Sequence, residues 1–139
     1  MITKVVVYYM KKLFVLLTAV ILAPLAVFAG DIADISHADL TKAIETKSAT
    51  IIDVNGSESY SEGHIPTSID FEANKDNLAA KLPSDKSALV VAYCGSENCK
   101  AYKKAAKAAI ALGYTNVKHY SGGLSAWKEA KSPLEKAKS

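Results

Sequence analysis

The sequence predicts an α/β protein in which a central parallel sheet is flanked by helices on both faces, giving three layers. Short runs rich in β-branched residues, at 49–54, 89–93 and 116–120, are typical of buried strands. They alternate with segments of helical composition, which favours parallel strands joined by helical crossovers. The chain has 139 residues, which corresponds to one domain by the usual size range.

The first 29 residues have the composition of a secretory signal peptide. Lys11 and Lys12 form a basic region, residues 13–28 are apolar, and Ala29 precedes Gly30 at a small-residue cleavage site. Met10 is the better initiator of such a leader. About 16 apolar residues are short for a membrane span, so we expect cleavage and no stable span afterwards. The alternative is an uncleaved anchor. The sequence thus predicts a periplasmic or secreted domain of residues 30–139.

The charge of this predicted mature domain is balanced. The chain has 17 basic and 14 acidic residues, and Lys4, Lys11 and Lys12 fall in the leader, which leaves 14 of each sign. A neutral domain offers no electrostatic basis for binding nucleic acid or an anionic membrane. Every basic residue is a lysine, so an oxyanion would be bound without the bidentate geometry of arginine.

The other elements are predicted from caps and composition. Ser36 is an N-cap that opens a helix to about residue 46. We expect a helical turn at 58–62, a short strand at 68–72 and a short helix at 76–82. A helix at 101–112 ends at the C-cap Gly113, and a last helix covers 124–131 with Leu124 and Trp127 in the core. The lysine-rich tail from about residue 133 is predicted to be flexible.

Cys94 lies at the junction on which the predicted site is centred. It follows the strand at 89–93 and begins a short polar loop that leads into the helix at 101–112. Unpaired amides and the helix dipole converge at such a junction, and both favour a thiolate. Lys100 could add a positive charge. The alternative is a buried, inert cysteine.

Five sequence motifs occur in order along the predicted domain. They are Ile52-Asp53-Val54, Tyr60-x-x-Gly63-His64-Ile65-Pro66, Val91-Ala92-Tyr93-Cys94, Leu112-Gly113-Tyr114-x-Asn116-Val117 and Gly122-Gly123-Leu124-x-Ala126-Trp127. By these motifs the chain resembles the single-domain rhodanese (sulfurtransferase) family over nearly the whole domain. The resemblance implies a small α/β domain that needs no cofactor and carries sulfane sulfur as a persulfide.

The resemblance also implies roles for individual residues. Cys94 would be the nucleophile, and the following loop would bind the substrate through its amides; this loop comprises Gly95, Ser96, Glu97, Asn98, Cys99 and Lys100. His64 would orient the loop by hydrogen bonding, whereas His37 and His119 are ordinary surface or strand-end residues. Asp53 ends a strand, where active sites of parallel sheets collect, and could position the loop or, as we favour, bind backbone amides.

The sequence departs from the family pattern at the loop. The distance from Cys94 to Gly113 is two residues longer than in the common form with a six-residue loop, so either the loop or the helix is longer. Asn55 replaces the arginine usual after the Asp-Val pair. Lys100 occupies the place of an essential arginine in a phosphatase family on the same scaffold. Since lysine cannot clamp a phosphoryl group in bidentate fashion, phosphatase activity is disfavoured.

Cys99 allows two interpretations. In an exported protein the two cysteines could form a structural disulfide, which would consume the nucleophile. Alternatively, Cys99 could be a resolving partner that attacks a persulfide or sulfenate on Cys94 and so gates the site by redox state. A zinc site is disfavoured because two cysteines without a nearby histidine cannot fill four positions.

Two functions therefore follow from the sequence. The first is an exported sulfurtransferase that takes sulfur from thiosulfate or another small sulfane donor and passes it to a thiol or cyanide. The alternative is a non-catalytic or redox-sensing module with a Cys94–Cys99 disulfide and a redox protein as its partner.

Overall fold

The computed structural model describes residues 31–137, and in this range a four-stranded sheet forms the centre of the fold. Its strands are β1 Ala49–Asp53, β2 Ile69–Asp70, β3 Leu89–Tyr93 and β4 Val117–Tyr120. They lie in the order β2-β1-β3-β4, and every neighbouring pair is parallel. The predicted α/β class with a central parallel sheet is confirmed. The predicted leader lies outside the described residues.

Short helices connect these strands. They are α1 His37–Glu45, α2 Ser57–Glu62, α3 Phe71–Asn74, a 3₁₀ turn at Lys75–Asn77, α4 Leu78–Lys81, α5 Tyr102–Ala111 and α6 Gly123–Glu129. The Ser36 side chain accepts a hydrogen bond from the Asp39 amide at 3.1 Å, as expected of an N-cap. Gly113 follows α5 with a φ of 96°, the left-handed conformation of a helix end. Within residues 31–137 no helix combines the length and apolar character needed to cross a membrane.

Apolar clusters cover both faces of the central strands, because successive side chains in a strand point to opposite faces. On one face the buried cluster contains Ile52, Val90 and Ala92 with Leu78 of α4 and Ala105, Ala106 and Ala109 of α5. On the other it contains Ile51, Val91 and Tyr93 with Leu40 of α1 and Leu124 and Trp127 of α6. The three-layer arrangement therefore follows from continuous apolar runs in β1 and β3.

The outer edge of β4 is covered by residues 33–35. The Ile35 amide donates to the His119 carbonyl, and the His119 amide donates to the Ala33 carbonyl, both at 2.8 Å. Asp34 pairs with His119 in parallel orientation. His119, which makes these two hydrogen bonds, is only 7% exposed.

The region between β2 and β3 corrects two predictions. Only Ile69–Asp70 of the expected strand at 68–72 pairs with β1, because the Asp70 side chain accepts from the Ala73 amide and caps α3. The expected helix at 76–82 is a 3₁₀ turn followed by α4, which ends before Pro83. At the end of β2 the cap that Asp70 provides thus overrides composition.

Residues 133–135 are bonded to the body of the domain. The Trp127 indole donates to the Pro133 carbonyl at 2.7 Å. The backbones of His64 and Glu135 exchange two hydrogen bonds, at 2.9 and 3.0 Å, and the Thr67 amide donates to the Glu135 carboxylate. The sequence predicted a flexible tail from about residue 133, whereas these bonds hold residues 133–135 against the domain.

Candidate active site

The candidate site lies at the carboxyl edge of the sheet. Asp53 and Tyr93 are register partners at the ends of β1 and β3, and Cys94 follows directly after Tyr93. Parallel strands bring their carboxyl ends to one edge, where sites of open α/β sheets collect. The structure therefore places Cys94 and Asp53 at this edge together, as the sequence predicted.

The loop after Cys94 carries the additional length noted in the sequence. Eight residues, 94–101, lie between β3 and α5, which begins at Tyr102. Cys94 is buried and 3% exposed, Cys99 is half-buried, and Glu97, Asn98 and Lys100 are exposed. The widened segment is therefore the loop and not the helix, and its middle faces solvent.

Cys94 and Cys99 form a disulfide across this loop. Their Cα atoms are 6.0 Å apart, within the usual range for a bridged pair. The Cys99 amide donates to the Ser96 carbonyl at 3.1 Å, which curls the loop and turns Cys99 back toward Cys94. The loop thus closes on itself over five residues of sequence separation.

Most of the loop amides remain available. Those of Gly95, Ser96, Glu97, Asn98, Lys100 and Ala101 donate no hydrogen bond to any residue in the described part of the chain. Successive free amides in a curled loop form a concave site for an anion. These amides are the donors from which the predicted cradle after Cys94 would be built, and its role in binding stays a prediction.

The N-terminus of α6 holds the base of the loop. The Leu124 amide donates to the Cys94 carbonyl and the Ser125 amide to the Gly95 carbonyl, both at 2.9 Å. Gly123 makes this approach feasible: a Cβ at this position would lie 2.5 Å from the Cys94 carbonyl oxygen, and its φ is 60°. Sequence reasoning assigned Leu124 to the core but did not place Gly123 beneath the loop, although the Gly122-Gly123 pair pointed to a close approach.

Asp53 is fixed by three hydrogen bonds. Its carboxylate, 1% exposed, accepts from the Asn55 amide at 2.7 Å, from the Asn55 side chain at 2.8 Å and from the Tyr93 hydroxyl. The Asn55 oxygen lies 3.2 Å from where a Cβ on Gly95 would be. Asp53 therefore binds a backbone amide, as favoured, and also sets Asn55 against the loop.

Tyr93 was missed by the sequence reasoning. Its hydroxyl donates to Asp53 and accepts from the Ile65 amide at 3.0 Å, which links β1, β3 and the segment before β2. Burial, followed by the negative charge of Asp53, raises the pKa of Tyr93 far above its ordinary value. The phenol therefore stays protonated and serves as a fixed donor.

His64 does not orient the loop, contrary to the role that the resemblance implied. Its Nδ1 atom lies 2.7 Å from the Tyr60 carbonyl oxygen, its ring stacks on Tyr60, and its Nε2 atom lies 3.8 Å from the Glu135 carboxylate. These contacts fasten the segment before β2 to residues 133–135. The next residue, Ile65, contacts the site instead, because its amide donates to the Tyr93 hydroxyl.

His119 was expected to be a surface or strand-end residue; it lies near the end of β4 and is buried. Its ring stacks on Tyr102 with centroids 3.3 Å apart, and Nε2 has no hydrogen-bond partner among the described residues. Burial lowers the pKa of His119, the charge of Lys100 adds to this effect, and Asp34 opposes it. Lys100, which was predicted to assist anion binding, thus lies close enough to His119 for its charge to act there.

Cavities open on both sides of the loop. One of about 310 Å³ is lined by Ser96, Glu97, Asn98, Gly122, Ser125, Ala126 and Glu129. Another of about 330 Å³ lies between the ends of β1 and α5 and is lined by Val54, Asn55, Gly56, Phe71, Glu72, Lys75, Ala101 and Lys104. A small donor or acceptor could approach the loop from either side.

Comparison with known proteins decides the family. The model of the rhodanese-like domain matches residues 36–130. The chain belongs to the rhodanese-like domain family. The match covers the region from the cap of α1 to the end of α6, so it includes every element of this rhodanese-like domain that builds the candidate site.

Relatives carry the same domain in different contexts. Thiosulfate sulfurtransferase GlpE of Shewanella oneidensis is 33% identical over 94 residues, which cover 66% of this chain and 87% of that protein. An HTH-type transcriptional regulator of Mycobacterium tuberculosis is 32% identical over 120 residues, covering 82% of this chain. The chain spans about half of that regulator, 52% of its length.

A solved structure shows the same fold. SseA from Escherichia coli, a 3-mercaptopyruvate sulfotransferase described with the rhodanese fold, matches with a TM-score of 0.63 at 18% identity. The match covers 78% of this chain and 52% of that one. At this identity the likeness is one of fold alone.

Proposed function

We propose that this chain is an exported sulfurtransferase that carries sulfane sulfur as a persulfide on Cys94 and passes it to a thiol or to cyanide. Family membership and the likeness to a thiosulfate sulfurtransferase support sulfur transfer in general. The observation that carries the assignment to Cys94 is its position directly after β3, at the start of a loop in which six amides donate to no residue within 31–137. A disulfide holds Cys94, so the active form is the reduced one.

The loop suits both halves of such a transfer. In the first, the Cys94 thiolate attacks the outer sulfur of thiosulfate, the sulfur–sulfur bond breaks, and sulfite leaves with the electron pair. In the second, an acceptor thiolate or cyanide takes the terminal sulfur and the Cys94 thiolate is restored. An ordinary thiol is mostly protonated at neutral pH, and amides that donate to a thiolate lower its pKa. The same amides can stabilise the departing sulfite.

Lys100 is suited to attract a substrate rather than to clamp it. It is exposed and lies at the rim of the loop, where a single positive charge acts on an oxyanion through screened attraction. The substrate class we propose is a small anionic sulfane donor such as thiosulfate.

Export is the part of the proposal that rests on residues 1–29. The basic pair Lys11-Lys12 before an apolar run that ends at Ala29 supports cleavage before Gly30. N-terminal sequencing of the protein from a periplasmic or secreted fraction tests this. We expect a terminus within a residue or two of Gly30, and an intact leader on a cytosolic protein would contradict export.

The direct test is sulfite release. The fully reduced protein, given thiosulfate and a monothiol that serves as acceptor and also keeps the two cysteines reduced, should release sulfite repeatedly. Cys94→Ser should release none while keeping the melting temperature of the reduced protein, because hydroxyl and thiol are similar in size. Turnover that survives this substitution would place the sulfur carrier elsewhere.

A second candidate is a redox-sensing module without catalysis, which the Cys94–Cys99 disulfide favours. In that case the reduced protein would release no sulfite with any acceptor. Its two redox states would instead differ in their binding to a partner protein. The same assay therefore separates the two functions.

A further inference from the structure

We infer that Cys99 is a resolving thiol that removes the sulfane sulfur from Cys94 as hydrosulfide, so that the chain acts as a dithiol-dependent reductase of sulfane sulfur. The inference rests on the proposed function, because it begins from the persulfide on Cys94. The disulfide between the two residues carries it, since this bond is the product that the resolving step would leave.

The step balances without any external oxidant. The Cys99 thiolate attacks Sγ of Cys94, the bond from that Sγ to the sulfane sulfur breaks, and the sulfane sulfur leaves with the electron pair as hydrosulfide. The sulfane sulfur is reduced by two electrons, and the two cysteines are oxidised to the disulfide. An external dithiol then reduces the disulfide and becomes a disulfide itself. Thiosulfate and one dithiol thus yield sulfite, hydrosulfide and one disulfide.

The loop geometry favours this attack. The Cα atoms are 6.0 Å apart, so Cys99 lies within bridging distance of Cys94 in the observed loop conformation. The base of the loop is held independently of the disulfide, because the Leu124 and Ser125 amides bind the Cys94 and Gly95 carbonyls. The bond can therefore form and break while Cys94 stays at the end of β3.

The two cysteines differ in exposure as residues, which favours one order of reduction. Cys94 is 3% exposed, whereas Cys99 is half-buried and packs against the edge of the apolar cluster that contains Cys94. An incoming thiolate therefore attacks Cys99 and expels the Cys94 thiolate, whose negative charge the free loop amides can stabilise. A stabilised thiolate is the better leaving group. Each reduction of the disulfide thus returns Cys94 as a thiolate, which is its nucleophilic form.

A single-turnover experiment tests the inference. The full chain is reduced, freed of reductant without air, and mixed with excess thiosulfate and no other thiol. We expect sulfite and hydrosulfide in equal amounts, near one of each per chain, and a protein lighter by about 2 Da from disulfide formation. Cys99→Ser and Cys99→Ala should release sulfite but less than about one-tenth as much hydrosulfide, and should retain about 32 Da as persulfide.

The outcomes separate the inference from the proposed function. If the reduced wild type releases no sulfite, the proposed function fails and the inference falls with it. If it releases sulfite, keeps the persulfide and yields no hydrosulfide, the inference alone is wrong. Equal hydrosulfide from wild type and both Cys99 variants would likewise overturn it.

The order of reduction has its own measurement. The oxidised protein is treated briefly with glutathione, quenched in acid and mapped by peptide mass. We expect the first mixed disulfide on Cys99. A first mixed disulfide on Cys94 would overturn the assignment of Cys99 as the residue that faces the reductant.

Discussion

Gly123→Ala tests whether α6 sets the position of the loop after Cys94. An alanine Cβ would lie 2.5 Å from the Cys94 carbonyl oxygen, 2.9 Å from the Ser96 amide nitrogen and 3.0 Å from the Gly95 carbonyl carbon. These are backbone atoms, so the loop itself must shift. Left-handed backbone costs an alanine roughly 1–2 kcal/mol. Overpacking adds about 1–3 kcal/mol, which gives a loss of about 2–5 kcal/mol in the free energy of unfolding.

Gly113→Ala is the matched control. Gly113 also has a positive φ, 96°, but a Cβ there would meet only the Lys86 side chain at 3.9 Å. This variant should lose only the backbone cost of roughly 1–2 kcal/mol, which corresponds to about 5–15 °C in melting temperature for a domain of this size. Gly123→Ala should lose roughly 10–30 °C.

Urea unfolding of the reduced proteins, together with sulfite release from thiosulfate, measures both effects. Gly123→Ala should release much less sulfite than Gly113→Ala at a temperature where both are folded. Asparagine tolerates the left-handed conformation, so Gly113→Asn should recover stability whereas Gly123→Asn should not. Equal destabilisation by the two alanine substitutions, or wild-type sulfite release by Gly123→Ala, would refute the clamping of the loop by α6.

Three further substitutions probe the surroundings of the loop. Tyr93→Phe removes a donor to the buried Asp53 carboxylate and should cost about 2–3 kcal/mol in urea unfolding; an unchanged midpoint would contradict the network. Lys100→Ala should lower kcat/KM for thiosulfate about two- to fivefold at low salt and less at high salt. The control Lys107→Ala, further along α5 and away from the loop, should leave kcat/KM unchanged. His119→Phe should flatten the pH dependence of stability. Because the pKa of His119 is lowered in the folded protein, neutral His119 contributes fully to the free energy of unfolding above the unfolded pKa of about 6.5. This contribution is lost as the pH falls through the folded pKa. If the free energy of unfolding of the variant fell as steeply with pH in this range as that of the wild type, the lowered pKa of His119 would be contradicted.

Local sequence was sufficient for the main elements of the fold. The β-branched run at 89–93 gave β3 its bounds, and Ser36 marked the start of α1, because propensity, capping and burial agree in these segments. Cys94 could be placed at the carboxyl edge because it directly follows a strand buried on both faces.

The support of the site could not be read from local sequence. Gly123 lies 29 positions after Cys94, and only the packing of α6 brings its backbone beneath the loop. The disulfide stayed open because it depends on how the widened loop curls, which spacing does not determine. The burial of His119 was not predicted because its ring stacks on Tyr102, a contact that depends on the packing of α5 against β4.

The segment at residues 33–35 has a consequence for how the N-terminus is processed. An edge strand with unpaired amides and carbonyls is a template for pairing with another chain. Ala33 and Ile35 occupy those groups on β4, and only a few residues separate them from the predicted cleavage site at Ala29. Trimming past Ala33 would uncover the edge and admit a second copy of the chain. If the leader is cleaved before Gly30 as proposed, loss of more than about three further residues should cause aggregation and not merely lower stability.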